Sequence, residues 1–174
     1  MNAELASSDA GAALAHALFE RHHVEVYAYL CRLLRDGDWA EDLAQETFLR
    51  AFKARASLAQ VENHRAWLYR VATNLALNAL KRRRRFAWLP WQAWGERRPA
   101  RQDVAATVLA RSALETALAA LPLKLRAPLL LYAGEGLSVA EVAQALSLSE
   151  GAVKMRLMRA RRLFRAAYER EDGR

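Results

Sequence analysis

The chain is short of the residues that punctuate or cross-link a protein. Its 174 residues include 7 glycines, 4 prolines and 1 cysteine. A single cysteine excludes an internal disulfide. Cys31 sits in an apolar helical pattern with Tyr27, Leu30 and Leu34, and reads as a small buried hydrophobe. So few turn-formers leave little room for a β protein, and no segment sustains period-two alternation. No apolar run reaches the ~18 residues that a membrane-spanning helix needs. Residues 1–13 are too polar and acidic for a signal peptide, so a cytoplasmic protein is expected. Phosphate-binding glycine loops and paired Cys/His spacings are also missing, which argues against a nucleic-acid enzyme; no metal, cofactor or small-molecule substrate is expected. His22 and His23 adjoin Glu25, but neighbouring residues diverge by ~100° on a helix, so both read as surface groups. His16 and His64 have no evident partner.

What is present is apolar residue in quantity and positive charge. Hydrophobic residues make up 53% of the chain, enough for packed cores. Lys and Arg number 27 against 19 Asp and Glu, a net charge of +8 that points to a polyanion or an acidic protein surface. The periodicity throughout is helical, so the fold class is all-α.

A first helix is expected over about residues 11–34, after a frayed start at residues 1–9 and with a break admitted near His22–His23. Arg35-Asp36-Gly37 is the turn. Asp38 caps the next helix with Glu41 as capping-box partner. That helix, from Trp39 to about Ala56, turns Leu43, Thr47, Phe48, Ala51 and Phe52 inward. On its other side Asp42, Gln45, Glu46, Leu49 and Lys53 share one face. An acidic-polar face in a basic protein suits a positively charged protein partner, or is simply solvated. Residues 57–62 form a loop. The stretch Asn63–Arg85 then reads as a long amphipathic helix, with Leu68, Val71, Ala72, Leu75 and Ala79 as its apolar stripe. Arg70, Asn74, Asn78, Lys81 and Arg85 line another face, and five cations run from Lys81 to Arg85. Amides followed by cations suit a surface that reads base edges and grips phosphates; the alternative is a solvated basic helix end.

At Phe86 the composition changes. Residues 86–101 carry Trp88, Pro90, Trp91, Trp94, Gly95 and Pro99 with no helical period, and read as an aromatic linker that docks on something. Helical patterning resumes near Gln102 and runs to about Ala120, with Val104, Val108, Leu114 and Leu118 apolar. Pro122 starts another helix through Leu125, Leu129, Leu130 and Tyr132, kinked at Pro128 and ended by Gly134 and Gly136. Ser138 caps a short helix with Glu141 in the capping-box position, and Val139, Val142, Ala143 and Leu146 face inward. Ser147-Leu148-Ser149 is a tight turn in which Ser147 must reach positive φ, at a cost of about 1 kcal/mol. Ser149 caps a second helix, on which Val153, Leu157, Ala160 and Phe164 pack back. Lys154, Arg156, Arg159, Arg161, Arg162 and Arg165 crowd that helix, with no carboxylate between Gly151 and Arg165. The cap, the small Ala143 where the two helices cross, the turn and the charge together spell a DNA-binding helix-turn-helix rather than a plain helical hairpin.

Three stretches carry a family resemblance: Asp42-Leu43-Ala44-Gln45-Glu46-Thr47-Phe48, then residues 65–76 (RAWLYRVATNLA), then the helix-turn-helix ending Glu150-Gly151-Ala152-Val153-Lys154-Met155-Arg156-Leu157. In this order and spacing the chain, over about residues 11–168, resembles an extracytoplasmic-function sigma factor, the minimal group of the sigma-70 family. The resemblance implies two small helical domains: a region 2-like domain over 11–85, a linker over 86–101, and a region 4-like domain over 102–170. It implies a specificity subunit, not an enzyme, that binds core RNA polymerase at its clamp and flap. Asp42, Gln45, Glu46, Leu49 and Lys53 would be the clamp-docking face. The loop 57–63 and the following helix resemble the element that captures a flipped base of the −10 promoter element, which gives Leu58, Asn63, Arg70, Asn74, Asn78 and Lys81 as the −10 set. Leu58 departs from the pattern, which commonly has an aromatic there. Lys154, Met155, Arg156, Met158, Arg159 and Arg161 would form the −35 set, with Arg156 and Arg161 nearer the phosphates. Met155 and Met158 offer apolar contact where polar or aromatic side chains are usual. The resemblance also implies an anti-sigma partner, linked to a membrane. The competing reading is a helix-turn-helix regulator that acts on duplex DNA without being a polymerase subunit.

Overall fold

The computed structural model describes residues 2–86 and 108–172. Among them every regular element is helical. The linker region and Val104 lie outside the described residues, as do the side chains of Val108 and Arg85.

Helix α1 spans Asn2–Leu34, so it begins well before Gly11 and the expected fraying is not seen. It also passes His22–His23 without a break. His22 is buried, a correction to its reading as a surface group, and its Nδ1 lies 3.1 Å from a Glu25 carboxylate oxygen. His23 turns back to the Phe19 carbonyl at 2.9 Å. Helix α2 covers Gly37–Lys53. Its cap is Asp36, two residues earlier than expected: the Asp36 side chain accepts from the Trp39 backbone N–H at 3.0 Å. The chain enters this cap through Arg35 at φ 61°, so the reversal takes two residues fewer than a loop through Asp38 would.

Residues 57–62 are not a plain loop. A single helical turn, α3 over Arg55–Leu58, packs against α1 and drives Leu58 fully into the core. The two elements touch at Gly11, where a Cβ would meet the Arg55 carbonyl oxygen at 2.5 Å. Only glycine permits that approach. Helix α4 follows over His64–Phe86. Asn63 caps it, its side-chain oxygen accepting from the Ala66 N–H at 2.9 Å, and His64, expected to be unpartnered, reaches the Leu58 carbonyl at 2.9 Å.

The first half closes around a buried polar pair. Tyr29 of α1 and Tyr69 of α4 meet edge to face, 5.3 Å between ring centres. The Tyr29 hydroxyl bonds Thr73 at 2.7 Å, and Thr73 in turn donates to the Tyr69 carbonyl. Burial raises the Tyr29 phenol far above its ordinary value, so it stays protonated.

The second half comprises α5 (Val108–Ala120), α6 (Leu123–Leu129), α7 (Val139–Leu146) and α8 (Glu150–Asp172). Leu118 of α5 is buried, but Leu114 is exposed. Pro128 sits inside α6, and the helix then widens into a π turn over Leu130–Gly134. The extra residue rotates the next segment by about 100° relative to an α-helix. Gly136 completes the exit at φ 68°. Ser138 and Glu141 form the expected capping box at the start of α7, and Ser147 adopts the expected left-handed conformation at φ 53°. Ser149 caps α8 by accepting from Ala152 N–H at 3.2 Å. Val142, Ala143, Val153, Leu157 and Ala160 are buried, as the helix-turn-helix pattern requires.

The two halves share one continuous core. Leu30, Leu33 and Leu68 from the first belong to the same buried cluster as Leu125, Leu131 and Val142 from the second.

Candidate nucleic-acid and protein interfaces

Three helices carry the sequence-predicted site residues, apart from Leu58 on α3 and Asn63, which caps α4. On α2 the residues 42, 45, 46, 49 and 53 fall within an arc of about 100°, and the buried Ala40, Ala44, Thr47, Phe48 and Ala51 lie opposite. Asp42, Gln45 and Lys53 are exposed, and Leu49 is 53% exposed. Glu46 pairs with Arg50 one turn on at 2.9 Å, and that hydrogen bond holds its carboxyl below the ordinary range. Both partners are substantially exposed, so the pair adds little stability and can be exchanged for an outside cation. Phe52 was expected inward, yet it is 49% exposed. One residue past Ala51 it is rotated by about 100°, which carries it to the edge of the outward arc beside Leu49. Arg55 lies over its ring at 5.0 Å. The α2 face is therefore acidic, polar and apolar at once.

On α4, positions 63, 70, 74, 78 and 81 recur on one stripe. From Asn63 to Lys81 that stripe runs about 27 Å along the axis. Asn63, Asn74, Asn78 and Lys81 are exposed, and Arg70 is half-buried. Leu58, the remaining member of this set, is in the core and presents nothing to a base; it supports the 57–63 turn from beneath. Arg83, near the basic end, lies 5.5 Å over the ring of Trp39, which steadies that end against the start of α2.

On α8, Lys154, Met155, Met158, Arg159 and Arg161 occupy the solvent side, with Met155 48% and Met158 58% exposed. Arg156 lies at the border of the buried arc and is half-buried. Arg161 rests 5.2 Å over the Tyr132 ring. Large exposed methionines flanked by cations give a strip that can meet both base edges and phosphates.

Sequence reasoning missed Glu135. It lies between two glycines, where a carboxylate reads as turn chemistry. In the structure it is buried and accepts from Arg32 at 2.8 Å and from the Tyr69 hydroxyl. Arg65 donates to its carbonyl and approaches its carboxylate at 3.7 Å. Nothing local signals this, because every partner is more than sixty residues away in sequence.

Residues 18–86 match the family model described as Sigma-70 region 2, and residues 111–164 match the one described as Sigma-70, region 4. The chain is 34% identical over 163 residues to the ECF RNA polymerase sigma factor SigL of Mycobacterium tuberculosis, covering 92% of each. It is also 34% identical over 152 residues to the ECF RNA polymerase sigma factor SigE of Mycolicibacterium smegmatis; the match takes in 85% of this chain but spans only 59% of that relative's length. Among solved structures, CnrH in complex with the cytosolic domain of CnrY aligns with a TM-score of 0.65 at 26% identity, over 94% of this chain and 97% of that one. The sigma factor RpoE in complex with the anti-sigma factor NepR from Bartonella quintana shares the fold, with a TM-score of 0.73 at 23% identity over 88% of this chain and 96% of that one. Two matched regions in sigma-70 order, with the helices that present their exposed faces, leave no place for an unrelated regulator with a borrowed helix-turn-helix: the chain belongs to the extracytoplasmic-function sigma factors of the sigma-70 family.

Proposed function

We propose that this protein works as a promoter-specificity subunit without catalytic activity of its own: α2 docks on core RNA polymerase, α4 holds unpaired bases of the −10 element, and α8 reads the −35 element. One observation carries the reading. Within a single chain, the segment matched to region 2 presents an exposed acidic and apolar face, whereas the segment matched to region 4 presents an exposed cationic helix. Opposite charge on two helices calls for two partners of opposite charge. Asp42, Gln45, Glu46, Leu49 and Lys53 form the polymerase face, joined by Phe52. Asn63, Arg70, Asn74, Asn78 and Lys81 are the −10 contacts. Lys154, Met155, Met158 and Arg159 face bases in the −35 major groove, with Arg156 and Arg161 toward the phosphates.

An anti-sigma protein is the further partner this reading calls for. CnrH was solved with the cytosolic domain of CnrY, and the faces of α2 and α8 are open to a similar partner here. No described helix is long and apolar enough to cross a membrane, so the membrane link would belong to that partner.

Run-off transcription with core polymerase on a pool of genomic promoters tests the proposal. Initiation should depend on the protein and be lost on Asp42→Lys with Glu46→Lys. Tight duplex binding by the protein, without any stimulation of the polymerase, would sink it.

A further inference from the structure

The solvent side of α8 is not uniformly charged. Val153, Leu157 and Ala160 mark the buried arc of the helix. At about 100° per residue, the stripe directly opposite that arc runs through Gly151, Met155, Met158 and Arg162. Met155 and Met158 lie within about 60° of each other on it, and Lys154 and Arg159 stand about 40° to either side. The side chains that project farthest from the core at the front of this helix are therefore apolar. Gly151, one turn earlier on the same stripe, has no side chain, and the space beside it is open, so the start of the helix can approach a surface closely.

The surrounding charge states what covers the methionines. Between Gly151 and Arg165 the helix carries six cations and no carboxylate. An apolar surface of another protein would bury Met155 and Met158 but leave those cations without counter-charge. A duplex supplies both halves of the match, phosphates for the rim and base edges for the centre. A helix set in the major groove with its N-terminal part foremost brings its outermost side chains to the groove floor. On that floor guanine shows two acceptors, adenine an acceptor and a donor, and cytosine a donor. Thymine alone shows an apolar group, its C5-methyl. A thioether offers no donor and only a weak acceptor, so pressed against a purine edge it would strip water from polar groups and return nothing.

We propose that Met155 and Met158 read two neighbouring thymines of the −35 element through their C5-methyl groups. The proposal rests on the reading of α8 as the −35 helix and names the base chemistry it selects. The spacing suits one base step. Residues three apart on a helix have Cβ atoms about 5–6 Å apart, and successive base pairs are stacked about 3.4 Å apart and displaced sideways by the twist of the duplex. The unbranched methionine chain adapts to the remaining offset. Both side chains are half-exposed or more in the protein, at 48% and 58%, so each has apolar surface left to bury against a methyl.

The test uses the full chain assembled with core polymerase, beside two double variants, Met155→Ala with Met158→Ala and Met155→Leu with Met158→Leu. The probe is the duplex that this holoenzyme retains from a pool of genomic promoters and core polymerase alone does not. Each −35 thymine is replaced in turn by deoxyuridine, which removes the methyl and nothing else. With the wild type, binding should weaken about fourfold at each of two adjacent sites and about fifteenfold when both are replaced, as expected for one and for two buried methyl-sized groups. The alanine variant should bind thymine and deoxyuridine probes alike, and the leucine variant should restore the difference. The same exchange in the −10 element is the control, since its effect should be the same in all three proteins. Indifference of the wild type to deoxyuridine at every −35 site, a −35 element without thymine, or an alanine variant that still discriminates overturns the methyl contact and leaves α8 as the −35 helix. If no duplex is retained beyond what core polymerase holds, or if scrambling the −35 element changes nothing, α8 is not a promoter reader and the methyl contact falls with it.

Discussion

Helices α2 and α8 are built alike and serve opposite ends. Each has an apolar arc packed on the core and an outward arc about 100° or more wide. Each keeps exposed hydrophobic side chains on its outward side: Leu49 and, at the edge of the arc, Phe52 on α2, and Met155 and Met158 on α8. They differ in the sign of the surrounding charge. Asp42 and Glu46 flank the first pair; Lys154 and Arg159 flank the second. On the proposed reading, the charged side chains of the outward arc are what direct a helix of ordinary geometry to a protein or to DNA. The helix between them, α4, combines amides with cations, as a surface for unpaired bases and their phosphates should.

The largest effect should come from inverting that charge on each helix in turn. Lys154→Glu with Arg159→Glu should abolish binding to −35 duplex while leaving affinity for core polymerase within about twofold, since a surface charge pair remote from the docking face contributes little there. A bidentate Arg or Lys contact is worth about 1–3 kcal/mol, so losing two removes at least roughly thirtyfold, and the added repulsion removes more. Asp42→Lys with Glu46→Lys should do the converse. Fluorescence anisotropy with labelled duplex and with core enzyme reads both. If each double variant damages both interactions equally, the division of labour between α2 and α8 is wrong.

A smaller effect separates cations that read from cations that hold. Arg156 lies against the buried arc, and Arg161 is steadied over Tyr132. Arg156→Ala should weaken duplex binding about equally for all sequences and lower the slope of log affinity against log salt by about one. Arg159→Ala should lower affinity mainly for the preferred sequence. A salt titration on matched and scrambled duplexes distinguishes them; identical loss on both by Arg159→Ala would move that residue to the phosphates.

How far the sequence foretold this arrangement depended on the range of the interaction. The Ser138–Glu141 capping box, the left-handed Ser147 and the cap at Ser149 are set within four residues, and all three are found as expected. Asp38 was expected to cap α2, but the cap is Asp36, fixed by the tight reversal at Arg35, which spacing does not encode. Phe52 followed the hydrophobic rule in type and broke it in angle. Leu58 and Glu135 were illegible for a stronger reason. Leu58 is buried because α3 rests on Gly11, nearly fifty residues back, and Glu135 is buried because a π turn aims it at partners from α1 and α4. The α2 and α8 surfaces escaped this problem, since an outward arc is fixed by one helix alone.

The smallest expected effect concerns the pH range over which α2 keeps its charge. The hydrogen bond from Arg50 holds the Glu46 carboxyl below the ordinary carboxylate range. A lowered pKa means the ionised form is favoured in the folded chain; that preference is present above the unfolded value and lost as pH falls through the folded one. Core polymerase binding should therefore be level from about pH 8 to about pH 5.5 and weaken only in stronger acid. Arg50→Ala removes the donor, so the weakening should begin at higher pH, with nearly unchanged affinity at neutrality because Glu46 is ionised in both proteins there. Core binding measured across this range checks the shift. A profile that Arg50→Ala leaves in place would mean that Asp42, rather than Glu46, carries the α2 charge that the polymerase meets.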